Sequence, residues 1–301
     1  MDYCYGVIKY ADNARPLTEF IKKMPRFIYK WYISKYCNIS VNEVSTGGYK
    51  GFEILINAVK NDVVNDTYLK GSIAGKILNK AYENNIISGV CPAELEDKLM
   101  DGLYIPKGHL IKRFLLKKII DRHIKSIKLD KRYIEYAVIE GEPVITRQVL
   151  FRLYPGVNNL SLILEGSDKN IYERAAGEIF DDSGLNINFG GKNSDFLKEA
   201  DIIINLSENS KSYASFFKRG ACYIELAENK EKLKRLMGTR QDMYMPVVSK
   251  VNVGREPVDI NLYEAVVFSQ LPEFRAYVKG NISSDIIEVA YEFVKDIGIS
   301  K

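Results

Sequence analysis

The sequence predicts an α/β fold, with a Rossmann-like doubly wound parallel sheet and a second, N-terminal α/β domain. The main observation is a series of short apolar runs separated by helical segments, a pattern typical of buried parallel strands. A similar alternation of strand and helix patterns precedes it, and 46% of the 301 residues are hydrophobic, enough for two cores. The runs are Tyr136–Ile139, Leu160–Leu164, Leu185–Phe189, Ile202–Leu206 and Ala221–Leu226.

The length suggests two domains. We expect residues 1–130 to form the N-terminal α/β domain, completed by C-terminal helices within 251–301. Residues 131–250 would form the Rossmann-like domain of the NAD(P)-binding type. The net charge of +4 is mild. Nucleic-acid-binding domains usually have a pI above about 9, so we do not expect a nucleic-acid partner.

The cysteine and histidine content argues against a metal site. The chain has four cysteines, far apart and without a C-x-x-C pair, and two histidines, so no metal is expected. Scattered thiols are typical of a reducing compartment. The sequence shows no signal peptide and no apolar run near the ~20 residues that span a bilayer. We therefore expect a cytoplasmic protein with no membrane span.

The N-terminal region shows a strand pattern at Cys4–Tyr10 and then a helical pattern from Leu17 to Trp31, which Pro25 should kink or split. A turn at Gly47-Gly48 precedes a strand at Phe52–Val59. Further elements are a helix capped by Asn65 or Asp66 that runs to about Asn84, and a buried strand at Ile86–Val90.

Two predicted helices have a basic face. On the first, which bears Lys22, Lys23, Arg26 and Lys30, the face is either simply solvated or an interfacial surface that touches anionic lipid. The second begins after Gly108. Its cations make it the best nucleic-acid candidate, but no aromatic residues interleave them as stacking platforms; they are Lys112, Arg113, Lys117, Lys118, Arg122 and Lys125.

Within the central unit, strands two and four should flank strand one, the usual order around the switch point of such sheets. The helical segments between the strands are predicted at Val144–Leu153, Asn170–Asp182, Asp195–Ala200 and Ser212–Lys218. Later predicted elements are a sixth strand at Met245–Val248 and two helices at Ile260–Leu271 and Ser283–Ile297.

The order of these pieces resembles a known family. An N-terminal α/β domain, an I-P-x-G segment with a helix, the five-strand unit and a late helix with Glu264-Ala265 follow one another. The chain resembles a divergent member of the predicted amino-acid dehydrogenase group, which is shikimate/quinate dehydrogenase-like and related to acyl-carrier-protein reductases. The best-matching pieces are Tyr5–Ile8, Ile105-Pro106, Ala200–Ser207 and Leu262–Val266.

The resemblance implies a dinucleotide-binding turn, and here the motif is degenerate. The family has a glycine-rich turn similar to G-A-T-G-x-x-G after its first strand, where glycines let the backbone approach a pyrophosphate. The matching stretch, Glu140–Thr146, keeps only Gly141, and Pro143 removes a donor. Its two acids either repel a phosphate or simply favour the positive helix N-terminus. Both interpretations are compatible with loss of the cofactor.

The candidate cofactor-binding residues are Gly141, Glu165 and Ser207. Glu165 ends strand two, where a ribose-binding acid belongs in this fold, although a plain loop acid is the alternative. Ser207 ends strand four, at the edge where such folds hold their ligand, and the alternative is a strand-end turn.

The catalytic residues are unknown. In the family that the chain resembles, the aldehyde-forming reductases carry a cysteine nucleophile three residues before a Glu-Ala pair. The resemblance places Asn261 at that position in this chain. An amide cannot form a thioester. Cys222 falls in strand five, which indicates a core position. Shikimate-type sites use a Lys–Asp pair, for which Lys112 and Asp130 are candidates, with surface charges as the alternative.

From these features we expect a divergent dehydrogenase-like protein with an interdomain cleft, a non-catalytic binding or scaffold role and no cofactor. The alternative is an NAD(P)-dependent oxidoreductase that acts on a small carbonyl or acyl substrate through an atypical cofactor loop. The partner stays open between a small molecule and a protein, including a second copy of the chain in a homodimer.

Overall fold

The computed structural model describes residues 2–14, 17–127, 130–209, 213–227, 230–280 and 283–300. The chain divides into two compact units. The first comprises residues 1–108, 249–281 and 300–301, and the second comprises residues 109–248 and 282–299. The division falls at Gly108 rather than near residue 130, and the last helix belongs to the second unit. The predicted domain boundaries stay predictions.

The strands are β1 (Cys4–Tyr10), β2 (Ile39–Thr46), β3 (Tyr49–Ile56), β4 (Ile86–Val90), β5 (Glu135–Ile139), β6 (Asn159–Leu164), β7 (Ile187–Gly191), β8 (Ile202–Asn205), β9 (Cys222–Glu225), β10 (Lys250–Val253), β11 (Glu256–Asp259) and β12 (Gly298–Ile299). The helices are α1 (Glu19–Lys22), α2 (Arg26–Tyr36), α3 (Lys60–Asn65), α4 (Thr67–Glu83), α5 (Glu96–Leu99), α6 (His109–Phe114), α7 (Leu116–Ile127), α8 (Pro143–Leu153), α9 (Asn170–Ser183), α10 (Asp195–Glu199), α11 (Lys230–Thr239), α12 (Ile260–Gln270), α13 (Pro272–Val278) and α14 (Ser284–Val294). None of the described helices is long and apolar enough to cross a membrane.

The second unit contains a five-stranded sheet in the order β7-β6-β5-β8-β9. Every neighbouring pair is parallel. This order confirms the prediction that strands two and four flank strand one, and it makes the fold a Rossmann-like α/β fold. The continuous apolar run of β8 explains its interior position, between β5 and β9, because Ile203 and Ile204 are fully buried.

The strand register determines which residues meet at the carboxyl edge of this sheet. Ile139, the last residue of β5, lies opposite Ile163 of β6 and Asn205 of β8. Because the strands are parallel, the residues that follow each of them leave the sheet at the same edge. This edge, on either side of β5, is the switch point of the fold.

The sheet of the first unit has the order β2-β3-β1-β4. Strand β1 runs parallel to β3 and β4, whereas β2 is antiparallel to β3. The predicted turn at Gly47-Gly48 joins β2 to β3 with φ values of 59° and 85°, which favour glycine. Strand β2 was not expected from the sequence, because its residues are mostly polar and half of them are exposed.

The predicted helix boundaries in the first unit hold where a specific residue defines them. Pro25 is the N-cap of α2 and separates it from α1, so the predicted split is confirmed. Asp66 caps α4 by accepting hydrogen bonds from the backbone N–H groups of Tyr68 and Leu69, both at 2.9 Å.

Several predicted elements differ from the structure, among them the strand predicted at Phe52–Val59, which runs over Tyr49–Ile56. Met245–Val248 is not a strand, and Tyr244 instead forms a single parallel bridge to Cys222; Pro246 has no N–H with which to continue it. Strand three runs over Ile187–Gly191 rather than Leu185–Phe189. The helix predicted at Ser212–Lys218 begins outside the described residues, and within them only a single 3₁₀ turn, Ala214–Phe216, forms. The helix Pro272–Val278 was not predicted, and α14 ends at Val294 rather than at Ile297.

The contact between β1 and β4 depends on a pair of facing glycines. Gly6 lies opposite Gly89 in the parallel register. A Cβ atom on Gly89 would lie 2.7 Å from the carbonyl oxygen of Gly6, closer than real Cβ contacts permit. Because the obstacle is backbone, it cannot move aside as a side chain would.

We therefore predict that Gly89→Ala lowers the free energy of unfolding by about 2 kcal/mol, the usual cost of overpacking. The matched control is Gly75→Ala, on the exposed face of α4, where nothing lies within 4 Å of an added Cβ. That substitution should raise the free energy of unfolding by about 0.5–1 kcal/mol. Urea titrations of both variants measure the two effects, and equal effects would contradict the close approach.

Candidate functional site

A cleft of about 660 Å³ opens at the carboxyl edge of the five-stranded sheet. The loops after β5, β6 and β8 line it. All three candidate cofactor-binding residues, Gly141, Glu165 and Ser207, are among its lining residues. The structure thus brings them together at the switch point, although it does not test whether they bind a cofactor. The cleft lies wholly within the second unit.

Glu140 follows β5 directly and is only 4% exposed. Its carboxylate accepts hydrogen bonds from the backbone N–H groups of Glu165 and, at 3.2 Å, of Ser167. Its second oxygen has no hydrogen-bond partner among the described residues. The side chain therefore links the loop after β5 to the loop after β6, and it places a buried carboxyl group where the fold ordinarily leaves room for a ligand.

The N-terminus of α8 is satisfied by the chain itself. Glu142 is the N-cap and accepts a 2.9 Å hydrogen bond from the N–H of Ile145. The N–H of Gly141 donates to the hydroxyl of Thr146 at 3.0 Å, and that hydroxyl donates to the carbonyl of Glu142. Pro143 has no N–H. Two of the donors that would cradle a phosphate at this helix end, the N–H groups of Gly141 and Ile145, are thus already engaged by side chains.

Gly141 is required by the close approach of two loops. A Cβ atom there would lie 2.3 Å from the carbonyl oxygen of Leu206, which follows β8. Hence a glycine is needed at this position whether or not a phosphate ever approaches it. The single glycine of the degenerate motif has a structural role that the sequence pattern alone did not indicate.

Glu165 has both carboxylate oxygens engaged. One accepts a hydrogen bond from the hydroxyl of Ser207 and the other from the phenol of Tyr213. The Ser207 hydroxyl also accepts a 3.0 Å bond from the N–H of Asn209. An acid at this position would bind the hydroxyls of a ribose in a dinucleotide site, and here two hydroxyls of the chain itself occupy its oxygens.

A second polar cluster, formed by Asn205, Tyr223, Glu225 and Lys232, lies beside this site and was missed at the sequence level. The amide of Asn205 donates to Glu225 at 2.6 Å, and its oxygen accepts a 3.2 Å bond from the ammonium of Lys232. Lys232 is only 4% exposed. The sequence does contain one indication of this cluster, because the apolar strands β8 and β9 each end in a polar residue, Asn205 and Glu225. Nothing near Lys232 in the sequence indicated that its side chain is buried.

Burial shifts the titration of this cluster. It raises the pKa of the Glu225 carboxyl, against hydrogen bonds from Tyr223 and Asn205 that favour the ionised form. It also lowers the pKa of the Lys232 ammonium, against the attraction of the carboxylates of Glu225 and Glu165. The two shifts have opposite directions and a common cause, the loss of water around charged groups.

The other residues singled out from the sequence lie in different parts of the fold. Cys222 is fully buried in β9, and burial raises the pKa of its thiol to about 12, so it is a core residue as its strand position indicated. Asn261 lies in the first turn of α12, where its N–H donates to Asp259. Asp130 is bound by Arg132 at 2.6 Å on the surface, which lowers the pKa of its carboxyl. No contact joins Asp130 to Lys112 among those that the structure describes. In the described ranges, no group of three or more His, Cys, Asp or Glu side chains could hold a metal ion.

Comparisons with known proteins identify no family. No protein-family model matches the sequence, and no curated protein matches it. Similar solved structures include an L-tryptophan dehydrogenase from Nostoc punctiforme, with 12% identity, 98% of this chain and 90% of that chain covered, and a TM-score of 0.37. Another is a shikimate 5-dehydrogenase from Listeria monocytogenes in complex with shikimate and NAD, with 11% identity, 98% and 96% coverage, and a TM-score of 0.36. At these scores the similarities carry no argument, and the fold class rests on the strand order.

The first prediction from this site concerns Glu140. We expect Glu140→Ala to lower the free energy of unfolding by about 2 kcal/mol, because two backbone N–H groups lose their acceptor. Glu140→Gln retains an acceptor oxygen and should cost less than about 1 kcal/mol. Glu173→Ala, at an exposed position of α9 where the carboxylate pairs with Lys169 at 3.4 Å, is the control, and its effect should stay within about 0.5 kcal/mol. Denaturant titrations of the three variants measure these free energies of unfolding. Equal effects of Ala and Gln at position 140 would contradict the role of Glu140 in linking the loops after β5 and β6.

The second prediction concerns Glu225. Its folded-state pKa is raised, so the folded state binds the proton more tightly than the unfolded state does. The contribution of this carboxyl to stability is therefore largest at low pH and is lost as the pH rises from about 4 through the folded-state pKa. The free energy of unfolding of the natural protein, minus that of Glu225→Gln, should fall between pH 4 and pH 7. A difference that rises with pH would show that the pairing with Lys232 outweighs burial.

Proposed function

We propose that this chain is a divergent member of the shikimate/quinate dehydrogenase-like group that has lost dinucleotide binding and has a non-catalytic binding or scaffold role. The proposal rests on the order of its elements and on one observation in the cleft. That observation is the buried carboxylate of Glu140, which takes two backbone donors beside the switch point.

The contacts at the cleft support loss of the cofactor in three ways. A pyrophosphate would meet the carboxylates of Glu140 and Glu142. It would also meet a helix end whose N–H groups at Gly141 and Ile145 are already bonded. A ribose would have to displace the hydroxyls of Ser207 and Tyr213 from Glu165.

The charge of the cleft indicates which ligands it would accept. Among the residues that the structure describes, its lining includes four carboxylates, those of Glu140, Glu142, Glu165 and Glu208, against the single guanidinium of Arg113. A neutral or cationic small molecule with hydrogen-bonding groups suits this lining, and a phosphorylated one does not. Hence the ligand class of the proposed binding role is a polar, non-anionic small molecule.

The alternative is an NAD(P)-dependent oxidoreductase with an atypical cofactor loop, acting on a small carbonyl or acyl substrate. The position of the cleft favours it, because doubly wound folds bind their cofactor at the switch point. Under this alternative, Gly141, Glu165 and Ser207 would contact the cofactor after rearrangement of the loops.

Titration calorimetry with NAD and with NADP, with and without Mg²⁺, tests the proposal. We expect no dissociation constant below about 1 mM. A carboxylate about 5 Å from a phosphate charge costs about 3 kcal/mol at an effective dielectric of about 20, roughly a hundredfold in affinity. Two such acids lie at this loop. A dissociation constant near 10 μM for either dinucleotide would establish the oxidoreductase alternative instead.

A variant that removes the obstacle sharpens this test. The double substitution Glu140→Gly and Glu142→Ser eliminates both carboxylates, and serine can still cap α8. We expect it to bind the dinucleotides at least tenfold more tightly than the natural protein. The control, Glu173→Ser, removes an exposed carboxylate of α9 that does not line the cleft, and it should leave the binding unchanged. Equal affinity of all three proteins would show that the acids are not the obstacle.

A further inference from the structure

Helix α2 and the segment before it expose large aromatic side chains together with cations. Phe20, Phe27 and Trp31 are 75%, 73% and 59% exposed, values unusual for residues of this size. We call the exposed residues of this segment the aromatic–basic face; they are Phe20, Lys23, Arg26, Phe27, Trp31 and Lys35. Lys30 lies at its margin, half-buried, with its Nζ atom 4.9 Å from the centroid of the Tyr68 ring.

The packing of α2 turns Phe27, Trp31 and Lys35 outward. The opposite side of the helix buries Ile33 fully and packs Tyr29 and Tyr32 against the core of the first unit. Phe27 and Trp31 are four residues apart and therefore share one side of the helix. Turning the helix to bury them would expose Ile33, so the exposure is a consequence of the fold.

The charges on this segment are almost all positive. Between Glu19 and Tyr36 the sequence has five basic residues and one acidic residue. Lys22 is neutralised locally, because it pairs with Asp62 at 2.9 Å and with Glu19 at 3.5 Å. In the described part of the chain no salt bridge reaches the four others, Lys23, Arg26, Lys30 and Lys35. The Nζ atom of Lys35 lies 4.8 Å from the centroid of the Trp31 ring.

We propose that the aromatic–basic face is a docking surface for the headgroup region of an anionic lipid bilayer. Phenylalanine and tryptophan enter the boundary between headgroups and acyl chains, while lysine and arginine contact lipid phosphates. The two contributions act together, as a reversible membrane contact requires. Like charge argues against a second copy of the same face as the occupant, and a single short helix offers no groove to follow a nucleic-acid backbone.

The chain carries its own reporter for this surface. Trp31 is the only tryptophan in the sequence, so intrinsic tryptophan fluorescence reports the aromatic–basic face alone. We expect a blue shift of its emission, and co-sedimentation of the full chain, with vesicles of phosphatidylcholine that also contain the anionic lipid phosphatidylglycerol. Vesicles of phosphatidylcholine alone should give neither, and about 0.5 M salt should reverse both by screening.

Two pairs of substitutions separate the contributions and keep the reporter. Lys23→Glu with Arg26→Glu should lower vesicle partitioning more than tenfold, since each basic residue contributes about fivefold. Phe20→Ser with Phe27→Ser should lower it at least tenfold by removing buried apolar area. The controls are Lys192→Glu with Lys234→Glu, and Tyr82→Ser, at exposed positions elsewhere. They should change partitioning less than twofold. Circular dichroism and the melting temperature verify that every variant is folded.

Four outcomes would overturn the proposal. The first is the absence of a blue shift with anionic vesicles, and the second is an equal shift with neutral ones. The third is a shift produced by a single-stranded oligonucleotide at lower concentration than by vesicles, which would identify nucleic acid as the occupant. The fourth is a shift that follows protein concentration without lipid, which would identify a second copy of the chain.

Discussion

The carboxyl edge of the five-stranded sheet depends on the carboxylate of Glu140. It is the first residue after β5, and its acceptors hold the loop after β6 through the N–H groups of Glu165 and Ser167. With that loop fixed, Glu165 stands where Ser207 and Tyr213 can donate to it. A carboxylate buried at this depth is costly unless it receives such donors, so the loops and the acid stabilise one another.

The polar groups at this edge find their hydrogen-bond partners within the chain. The carboxylate of Glu140 takes backbone donors as an anion would, and the hydroxyls of Ser207 and Tyr213 take Glu165 as ribose hydroxyls would. Beside them, Lys232 and Glu225 are joined through Asn205. A polar edge of a sheet needs partners for its buried groups, and in this chain the partners are internal.

Much of the fold could be predicted from the sequence, because buried parallel strands leave a direct signal. Ile202–Ile204 is a continuous apolar run, and it forms the strand next to β5 as expected. Strand β2 has no such signal, since its residues alternate between partly buried and exposed. The candidate residues Gly141, Glu165 and Ser207 were found from strand ends alone. Their partners were not, because Tyr213 and Lys232 reach the site from segments distant in sequence, and such contacts leave no periodic pattern.

The hydrogen bonds that Ser207 and Tyr213 donate to Glu165 limit which ligands the cleft can bind tightly. A ligand that contacts Glu165 must first break the bonds from Ser207 and Tyr213, and each bond to a charged acceptor is worth about 1.5–3 kcal/mol net. Only a ligand that supplies equivalent donors in the same positions recovers that loss, and a cation or a polyhydroxylated neutral molecule can do so. A phosphate supplies acceptors instead, so it loses these bonds and adds repulsion from Glu140. The hydrogen bonds within this edge therefore disfavour any ligand that reaches Glu165 without hydrogen-bond donors of its own.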